Sequence, residues 1–300
     1  MQSVASDKES WSFPQGHEIA PGRTTLKSIG GGNRYEVYLV WDERFFSVMV
    51  AKILRPDLVE EEYALRGLRR ETEALESLSH PVLLRAFDSH IEGPHPHVVV
   101  EHLEGPTLKR LLRRGGRLPV EQALPLGLHV ASVIHYMAEE GWVHLDLKPD
   151  NLVMGIPPRV IDLSLARTIE RAKLLTDYIG TNAYMPPEQC NPRGDVGPPA
   201  DVWGLGATLY HALTGRLPFR RPRSRAADAP LEDRFPQLED EPRDWPVPVP
   251  AALADAVLAC LEKDPAQRPT AAELAMMLQP LVAELPAKLV FGRRGPQRIA

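Results

Sequence analysis

The sequence predicts an α+β protein in which a small strand-rich part is followed by a larger helical part. Residues 35–41 and 46–54 are rich in aromatic and β-branched residues and flank a short polar turn, which is typical of two paired strands. After Gly105 the apolar residues recur mostly at helical spacing, most clearly over 121–140 and 201–213. In the last of these segments one apolar stripe is formed by Val202, Leu205, Leu209 and Leu213.

The remaining elements are justified in the same way. A helix is expected over about 60–78, and the three valines at 98–100 indicate a short buried strand. Residues 220–250 are rich in Arg, Pro and acids, so we expect mostly irregular structure with one short helix. Helical spacing returns over 251–260 and 270–285.

Shifts in composition set the expected boundaries. We expect a flexible leader over 1–22, a strand-rich lobe over 23–103, a helical lobe over 104–285 and a basic tail over 286–300. The arginines of the tail suit acidic lipid or a partner, but a solvated terminus is the default for such a segment.

The composition also excludes several classes of protein. The formal net charge of −5 argues against a general nucleic-acid-binding protein. Cys190 and Cys260 are too few for a disulfide framework or a zinc site, so we expect a reducing, cytoplasmic location. No apolar run approaches the roughly 18 residues of a membrane span, and Met1–Gly22 lacks the apolar core of a signal peptide.

The most informative segment is His144–Asn151. It combines Asp146, Lys148 and Asn151, which suit a base for a hydroxyl, a cation for a phosphate and a ligand for Mg²⁺. The segment resembles the catalytic loop of eukaryotic-type (Hanks-type) Ser/Thr protein kinases, H-R-D-x-K-x-x-N, with Leu145 in place of the arginine. The lysine two residues after the aspartate favours the Ser/Thr branch of that family.

The resemblance covers roughly residues 23–285 and implies a bilobal protein kinase fold with ATP and Mg²⁺ (or Mn²⁺) as cofactors. It implies that Asp146 accepts or orients the hydroxyl proton of a substrate, and that Lys148 neutralises charge on the transferred phosphate. The segment Lys263–Pro269 and the Arg/Pro/Ala-rich composition are similar to bacterial members. Because those members often continue into a membrane span and a sensor domain, we expect either a soluble kinase or the catalytic part of a longer protein.

Residues 28–37 resemble the Gly-rich loop of the family, G-x-G-x-x-G-x-V. Glycines let the backbone approach phosphate oxygens and offer N–H donors. Tyr35 stands where the third glycine belongs, and a plain Gly-rich hairpin turn is the alternative interpretation. In the nucleotide pocket that the resemblance implies, Val100 is the gatekeeper, and Glu101 and Leu103 offer backbone groups to adenine. The complete implied set is Gly30, Gly31, Gly32, Val37, Ala51, Lys52, Val100, Glu101, Leu103 and Val153.

Lys52 and Glu71 each interrupt an apolar face. On a strand, Lys52 shares its face with Val48, Val50 and Leu54, and on the following helix Glu71 shares its face with Leu68, Leu75 and Leu78. Two opposite charges that are each misplaced alone are expected to pair. The resemblance implies that this is the catalytic Lys–Glu pair, in which the lysine holds the α- and β-phosphates. The alternative is a snorkelling lysine and a solvated glutamate.

Asp162-Leu163-Ser164 follows a strand-like run and resembles the D-F-G motif, with Leu for Phe and Ser for Gly. The resemblance implies that Asp162 binds Mg²⁺ and that Asn151 holds a second ion. Taken alone, an aspartate after a strand is usually a turn or cap residue. Because Ser164 lacks the backbone freedom of glycine, we expect it to bias the position of Asp162.

Further matches concern the scaffold and its regulation. Residues 180–188 resemble the end of an activation segment, and the resemblance implies that Glu188 pairs with Arg268 and that Asp201 braces the catalytic-loop backbone. Thr181 matches a threonine that contacts the catalytic aspartate and lysine.

The residue that replaces the catalytic-loop arginine bears on control. In many kinases that arginine pairs with a phosphate on the activation loop, which Leu145 cannot do. We therefore expect activity that does not depend on this pairing, with Thr168 and Thr176 as the candidate phosphorylation sites.

Functions of different classes remain open. The first is an ATP-dependent Ser/Thr protein kinase that acts on Ser and Thr hydroxyls of proteins, with self-association for autophosphorylation. The alternative is a pseudokinase, a nucleotide-binding or protein-interaction module, which is motivated by Tyr35, Leu145, Ser164 and Pro186. A third is a small-molecule kinase on a related fold, against which Thr181 and the Pro-Pro-Glu segment speak.

Overall fold

The computed structural model describes residues 9–193 and 195–286. They divide into two compact units. The first holds residues up to Ser79 together with Leu84–Leu103, and the second holds His80–Leu83 and the residues from Glu104 onward. Residues 1–8 of the expected leader and 287–300 of the expected tail lie outside the described residues.

The first unit combines a six-stranded antiparallel sheet with one long helix, α1 (Glu62–Ser77). Its strands are β1 (Glu18–Ala20), β2 (Arg23–Gly31), β3 (Tyr35–Asp42), β4 (Ser47–Leu54), β5 (Ala86–His90) and β6 (His97–Glu101). They lie in the order β1-β2-β3-β4-β6-β5, and a 3-10 turn at Pro56–Leu58 leads from β4 towards α1. The predicted strands over 35–41, 46–54 and 98–100 and the predicted helix over 60–78 are therefore confirmed.

The sheet buries one face in a core of alternating residues. Tyr38 lies opposite Ala51 and Val40 opposite Met49 on the paired strands β3 and β4. These residues are buried together with Ile53, Val99 and Ile19. Since successive residues of a strand point to opposite faces, Lys52 lies on the other face of the sheet from Ala51.

Residues 9–22 pack on this sheet, so the prediction of a loosely ordered leader is wrong for them. The Trp11 indole Nε1–H donates to the Leu54 carbonyl at 2.7 Å, and the Trp11 and Phe13 rings lie against the sheet core. Strand β1 adds to the sheet edge beside β2. The physical reason is the large apolar area that the two aromatic rings bury. The residues around them are mostly polar, so the sequence shows no apolar run there.

A buried ionic network ties the sheet together around Arg23. Its guanidinium donates to Asp42 (2.8 Å), Asp88 (2.7 Å) and the Nε2 atom of His97 (2.8 Å). His97 is fully buried, and its Nδ1 lies 2.6 Å from the His95 carbonyl. Nδ1–H therefore donates and Nε2 accepts, which describes a neutral imidazole. Burial and the neighbouring Arg23 charge lower the pKa of His97 to about 4.

The second unit is mainly helical. Its helices are α2 (Leu108–Gly115), α3 (Val120–Glu139), α4 (Ile169–Lys173), α5 (Pro187–Cys190), α6 (Pro198–Thr214), α7 (Leu231–Arg234), α8 (Ala251–Ala259) and α9 (Ala271–Ala283). Two small antiparallel pairs accompany them: β7 (Trp142–Val143) with β10 (Arg167–Thr168), and β8 (Leu152–Val153) with β9 (Arg159–Val160). Turns of 3-10 helix lie at Pro149–Asn151, Pro236–Leu238 and Pro265–Gln267.

Helix α3 packs against both α6 and α9, and α8 packs against α6 and α9. Helix α6 is buried along nearly its whole length, including Trp203 and Tyr210. The predicted helices over 121–140, 201–213, 251–260 and 270–285 are confirmed as α3, α6, α8 and α9. Residues 220–250 are irregular apart from α7 and one 3-10 turn, as expected. Over residues 9–193 and 195–286, no helix is both long and apolar enough to cross a membrane.

Candidate active site

Lys52 and Glu71 form an ion pair in the first unit, as the sequence predicts. Lys52 Nζ lies 2.6 Å from Glu71 Oε1, and the side chains are 17% and 2% exposed. Lys52 projects from β4 and Glu71 from the buried face of α1, between Leu68 and Leu75. A nearly buried carboxylate is stabilised only when it is paired. The pair therefore fixes the lysine ammonium at the helix-facing side of the sheet.

Tyr35 is the unexpected neighbour of this pair. Its ring is buried, and Lys52 Nζ lies 4.4 Å from the ring centroid, which is a cation–π contact. The ring therefore stabilises the ammonium that the glutamate also holds. Sequence reasoning noted Tyr35 at the position of the third glycine but missed this contact. A strand register that places Val37 opposite Lys52, with Tyr35 two residues away, is the signal that points to it.

The glycines predicted to approach phosphates lie where β2 turns into β3. Gly30, Gly31 and Gly32 are exposed, and Gly30 pairs with Val37. A Cβ atom on Gly31 would lie 2.9 Å from the Tyr35 carbonyl oxygen, so a larger residue does not fit there. The turn is consistent with both the Gly-rich loop and a plain hairpin.

One predicted nucleotide-pocket residue is wrong. Ala51 is fully buried in the sheet core, on the opposite face of β4 from Lys52. The prediction failed because adjacent strand residues alternate in direction, and Val50 is the residue that lies on the face of Lys52. Val100 lies directly opposite Val50 on β6, so Val100 belongs to that face as well.

The other predicted adenine contacts occupy the end of β6 and the small pair β8–β9. The backbone N–H of Glu101 donates to the Arg85 carbonyl at 3.0 Å, so the backbone group that Glu101 can offer to adenine is its carbonyl. Leu103 follows two residues later and is half-buried. Val153 belongs to β8 in the second unit, where it is 9% exposed.

In the second unit, the catalytic-loop segment is held by a buried carboxylate. Asp201 accepts hydrogen bonds from the backbone N–H groups of His144 (2.7 Å) and Leu145 (2.8 Å), as predicted. Leu145 has a φ of +65°, a conformation that is unfavourable for leucine. The two hydrogen bonds stabilise this backbone. Burial raises the pKa of the Asp201 carboxyl, against the opposing effect of His144 and the two N–H donors.

Asp146, Lys148 and Thr181 form a closed triangle of hydrogen bonds. Lys148 Nζ donates to Asp146 Oδ2 at 2.5 Å and to Thr181 Oγ1 at 2.7 Å. The Thr181 hydroxyl donates in turn to Asp146 Oδ1 at 2.8 Å. Both carboxylate oxygens are thereby oriented, and Asp146 is 8% exposed. The predicted contact of Thr181 with the other two residues is present.

Asn151 and Asp162 lie at the same end of the β8–β9 pair, since Asn151 directly precedes β8 and Asp162 follows β9 by two residues. Leu152 lies opposite Val160, and the Ile161 N–H donates to the Asn151 carbonyl at 2.9 Å. Asn151 Nδ2 donates to the backbone and side chain of Asp146, at 3.0 and 3.2 Å. Since the amide nitrogen donates, the amide oxygen is the side-chain atom of Asn151 that could bind a cation. One amide oxygen, one carboxylate and phosphate oxygens form a donor set that suits Mg²⁺.

Leu145 is anchored in an apolar cluster with the segment that follows Asp162. The cluster contains Val143, Leu145, Ala172, Val196 and Ala200, with Ile169, Leu175 and Ile179 packed against it. Gln189 Nε2 adds a second link, because it donates to the carbonyls of both Leu145 (2.7 Å) and Ile179. Sequence reasoning identified Leu145 as a lost phosphate contact. It missed the apolar anchor and Gln189. For the anchor, the apolar residues that recur every three or four positions from 169 to 179 were the available signal.

Glu188 and Arg268 form the predicted ion pair, and it is almost completely buried. Arg268 Nη1 and Nη2 donate to the two Glu188 carboxylate oxygens at 2.6 and 2.8 Å. The guanidinium also donates to the carbonyls of Glu262, Lys263 and Pro199 and lies 4.9 Å from the centroid of the Trp203 ring. The pair connects α5, directly after the Thr181 segment, to the start of α9.

Comparison with known proteins places this geometry in a family. A family model described as the protein kinase domain matches residues 23–278. The chain belongs to this family. Its strand-rich first unit and helical second unit are those of the protein kinase fold, which confirms the predicted fold class.

The similar proteins of this family are bacterial Ser/Thr kinases. The kinase domain is 30% identical over 264 residues to the serine/threonine-protein kinase PknB of Mycobacterium leprae, covering 82% of this chain and 40% of that protein. It is 30% identical to PrkC of Bacillus subtilis (86% and 40% covered) and 33% identical to PkaA of Streptomyces coelicolor (78% and 42% covered). The chain thus spans about two fifths of the length of these relatives.

Proposed function

We propose that this kinase domain transfers the γ-phosphate of ATP to Ser and Thr hydroxyl groups of proteins, itself included. The observation that carries the proposal is the triangle of Asp146, Lys148 and Thr181, because it orients a carboxylate and an ammonium side by side. Phosphoryl transfer asks the protein mainly for positioning and charge stabilisation. A carboxylate and an ammonium that are held in fixed positions meet both requirements.

Each residue of the triangle takes a role that its contacts allow. Asp146 accepts a hydrogen bond from the acceptor hydroxyl and aims that oxygen at the phosphorus. Lys148 carries the positive charge that stabilises the negative charge on the phosphate during transfer. Thr181 holds both groups in place, since its hydroxyl accepts from the lysine and donates to the aspartate.

The phosphates of ATP require positive charge from two further sources. In the first unit, Lys52 is held by Glu71 and Tyr35 and suits the α- and β-phosphates. In the second unit, Asp162 and Asn151 suit Mg²⁺ or Mn²⁺, which when bound neutralises phosphate charge and orients the γ-phosphate. Asn151 Nδ2 also donates to Asp146 Oδ2, so the residue proposed to bind the metal and the residue proposed to orient the acceptor are positioned together.

A pseudokinase is the second candidate function, and one observation favours it. The buried Tyr35 ring lies against the ammonium that the phosphates need, at the position where the Gly-rich motif has glycine. A ring that stays there during binding would keep Lys52 from the phosphates. The protein would then act as an interaction module without transfer.

Transfer from radiolabelled ATP with Mg²⁺ distinguishes the two functions. The wild-type protein is compared with Asp146→Asn and Asp162→Ala in autophosphorylation and in phosphorylation of a general Ser/Thr protein substrate. We expect transfer by the wild type and a loss of at least about 100-fold in each variant. Equal incorporation in all three proteins, or none in any of them while fluorescent ATP still binds, contradicts the kinase proposal.

A further inference from the structure

A cleft of about 750 Å³ in the second unit begins beside the catalytic triangle. One wall is the segment Gly180–Ala183, and another contains Arg220, Arg221 and Arg225. Thr181 lies in the first wall and donates to Asp146 Oδ1 at 2.8 Å. One residue of the cleft wall is therefore in direct contact with Asp146, the aspartate that is proposed to orient the acceptor hydroxyl.

The charge of this cleft has one sign. The charged residues that line it are three arginines, and no acidic side chain is among its described lining residues. They belong to a segment with five arginines in ten residues, although the whole chain carries a net charge of −5. The five are Arg216, Arg220, Arg221, Arg223 and Arg225.

Two of the lining arginines are available to a ligand. Arg220 is already paired with Asp240 at 2.8 Å. Arg221 and Arg225 are exposed, and among the residues that the structure describes neither has a carboxylate within ion-pair distance. A run of like charges is usually a solvated face. Here the two unpaired guanidinium groups instead border a concave site whose wall includes Thr181, the hydrogen-bond partner of Asp146 and Lys148.

We propose that Arg221 and Arg225 select protein substrates that carry an anionic side chain close to the acceptor Ser or Thr. This inference rests on the proposed kinase function and adds a substrate class to it. A guanidinium forms two parallel hydrogen bonds with a carboxylate or a phosphate, which neutral and basic side chains cannot accept. Aspartate, glutamate and a previously phosphorylated residue share this chemistry.

The test uses peptides that share one acceptor threonine. In separate peptides, each position within four residues of the threonine is set to Asp, phosphoserine, Ala or Lys, and kcat/KM is measured with radiolabelled ATP. For the wild type we expect one or two positions at which Asp or phosphoserine exceeds Ala by about tenfold, the scale of one charge-assisted contact. Lys at these positions falls below Ala. The ratio of phosphoserine to Asp separates the two sources of negative charge.

Variants locate the effect in the cleft. Arg221→Ala combined with Arg225→Ala lowers the ratio of acidic to neutral peptide to about one, and Arg221→Glu combined with Arg225→Glu favours the lysine peptides. Arg216→Ala is the matched control, because Arg216 is exposed in the same segment but does not line the cleft. It retains the wild-type ratio.

Fluorescence anisotropy of labelled acidic and neutral peptides gives a readout that does not need catalysis. If no peptide is phosphorylated but the acidic peptide binds more tightly through Arg221 and Arg225, the kinase function fails and the anion selectivity stands. If the wild type phosphorylates acidic and neutral peptides equally, the selectivity is wrong and the kinase function stands. An acidic preference that survives in the double alanine variant also overturns the assignment.

Discussion

Replacing Thr181 by valine removes one hydroxyl from the catalytic triangle and leaves the size of the side chain nearly unchanged. The hydroxyl makes two hydrogen bonds to charged groups, from Lys148 Nζ at 2.7 Å and to Asp146 Oδ1 at 2.8 Å. A hydrogen bond to a charged group contributes about 1.5–3 kcal/mol. The direct contact of Lys148 with Asp146 persists, so we expect a net loss of about 2 kcal/mol in transition-state stabilisation, or about 30-fold in kcat.

The assay is steady-state phosphorylation of a Thr-containing peptide at varied ATP. Because the Thr181 hydroxyl bonds to Lys148 and Asp146, we expect kcat to fall in Thr181→Val while KM for ATP changes by less than about threefold. Thr181→Ser keeps the hydroxyl and is the matched control, with kcat close to the wild type. A kcat for Thr181→Val within threefold of the wild type, in a protein with unchanged thermal stability, refutes the role assigned to the triangle.

Three further predictions concern stability. Arg268→Ala leaves Glu188 as a buried unpaired charge and lowers the free energy of unfolding in urea by about 3–5 kcal/mol, whereas exposed Arg216→Ala changes it by less than about 0.5 kcal/mol. Burial lowers the pKa of His97 from 6.5 to about 4. The unfolded chain therefore binds this proton first as the pH falls, and the free energy of unfolding drops by about 3 kcal/mol between pH 6.5 and pH 4. His97→Gln flattens this dependence in urea titrations. Leu145→Arg places a charge in an apolar cluster and destabilises the protein by at least about 3 kcal/mol, against less than about 1.5 kcal/mol for Leu145→Met.

The ion pair of Lys52 and Glu71 could be predicted because each of the two charges conflicts with its local sequence. Lys52 on an apolar strand face and Glu71 on an apolar helix face resolve each other, and they lie 2.6 Å apart. The regular elements were equally predictable, since hydrophobic periodicity is a local signal. Resemblance to the family motifs then supplied the long-range partners, such as Arg268 for Glu188, which no spacing rule connects.

Other features depended on contacts between distant segments. Trp11 hydrogen-bonds to Leu54, 43 residues away, and nothing in the residues around it predicts that partner. Ala51 was assigned to the nucleotide pocket from the family resemblance, but successive strand residues point to opposite faces, so Ala51 lies on the other face from Lys52. Likewise, the apolar cluster around Leu145 forms only when the segments near 145, 172 and 196 meet.

The central claim is that Asp146 orients the acceptor in a loop that apolar packing, rather than phosphorylation, holds in place. The most direct test uses phosphatase-treated protein with both Thr168→Ala and Thr176→Ala, compared with the same protein that also carries Asp146→Asn. The measured quantity is the initial rate of transfer from radiolabelled ATP to a Thr-containing peptide. We predict a rate within about threefold of the wild type for the double alanine protein and a loss of at least about 100-fold on adding Asp146→Asn. Loss of transfer in a folded double alanine protein, or a rate that is indifferent to Asp146→Asn, would contradict the claim.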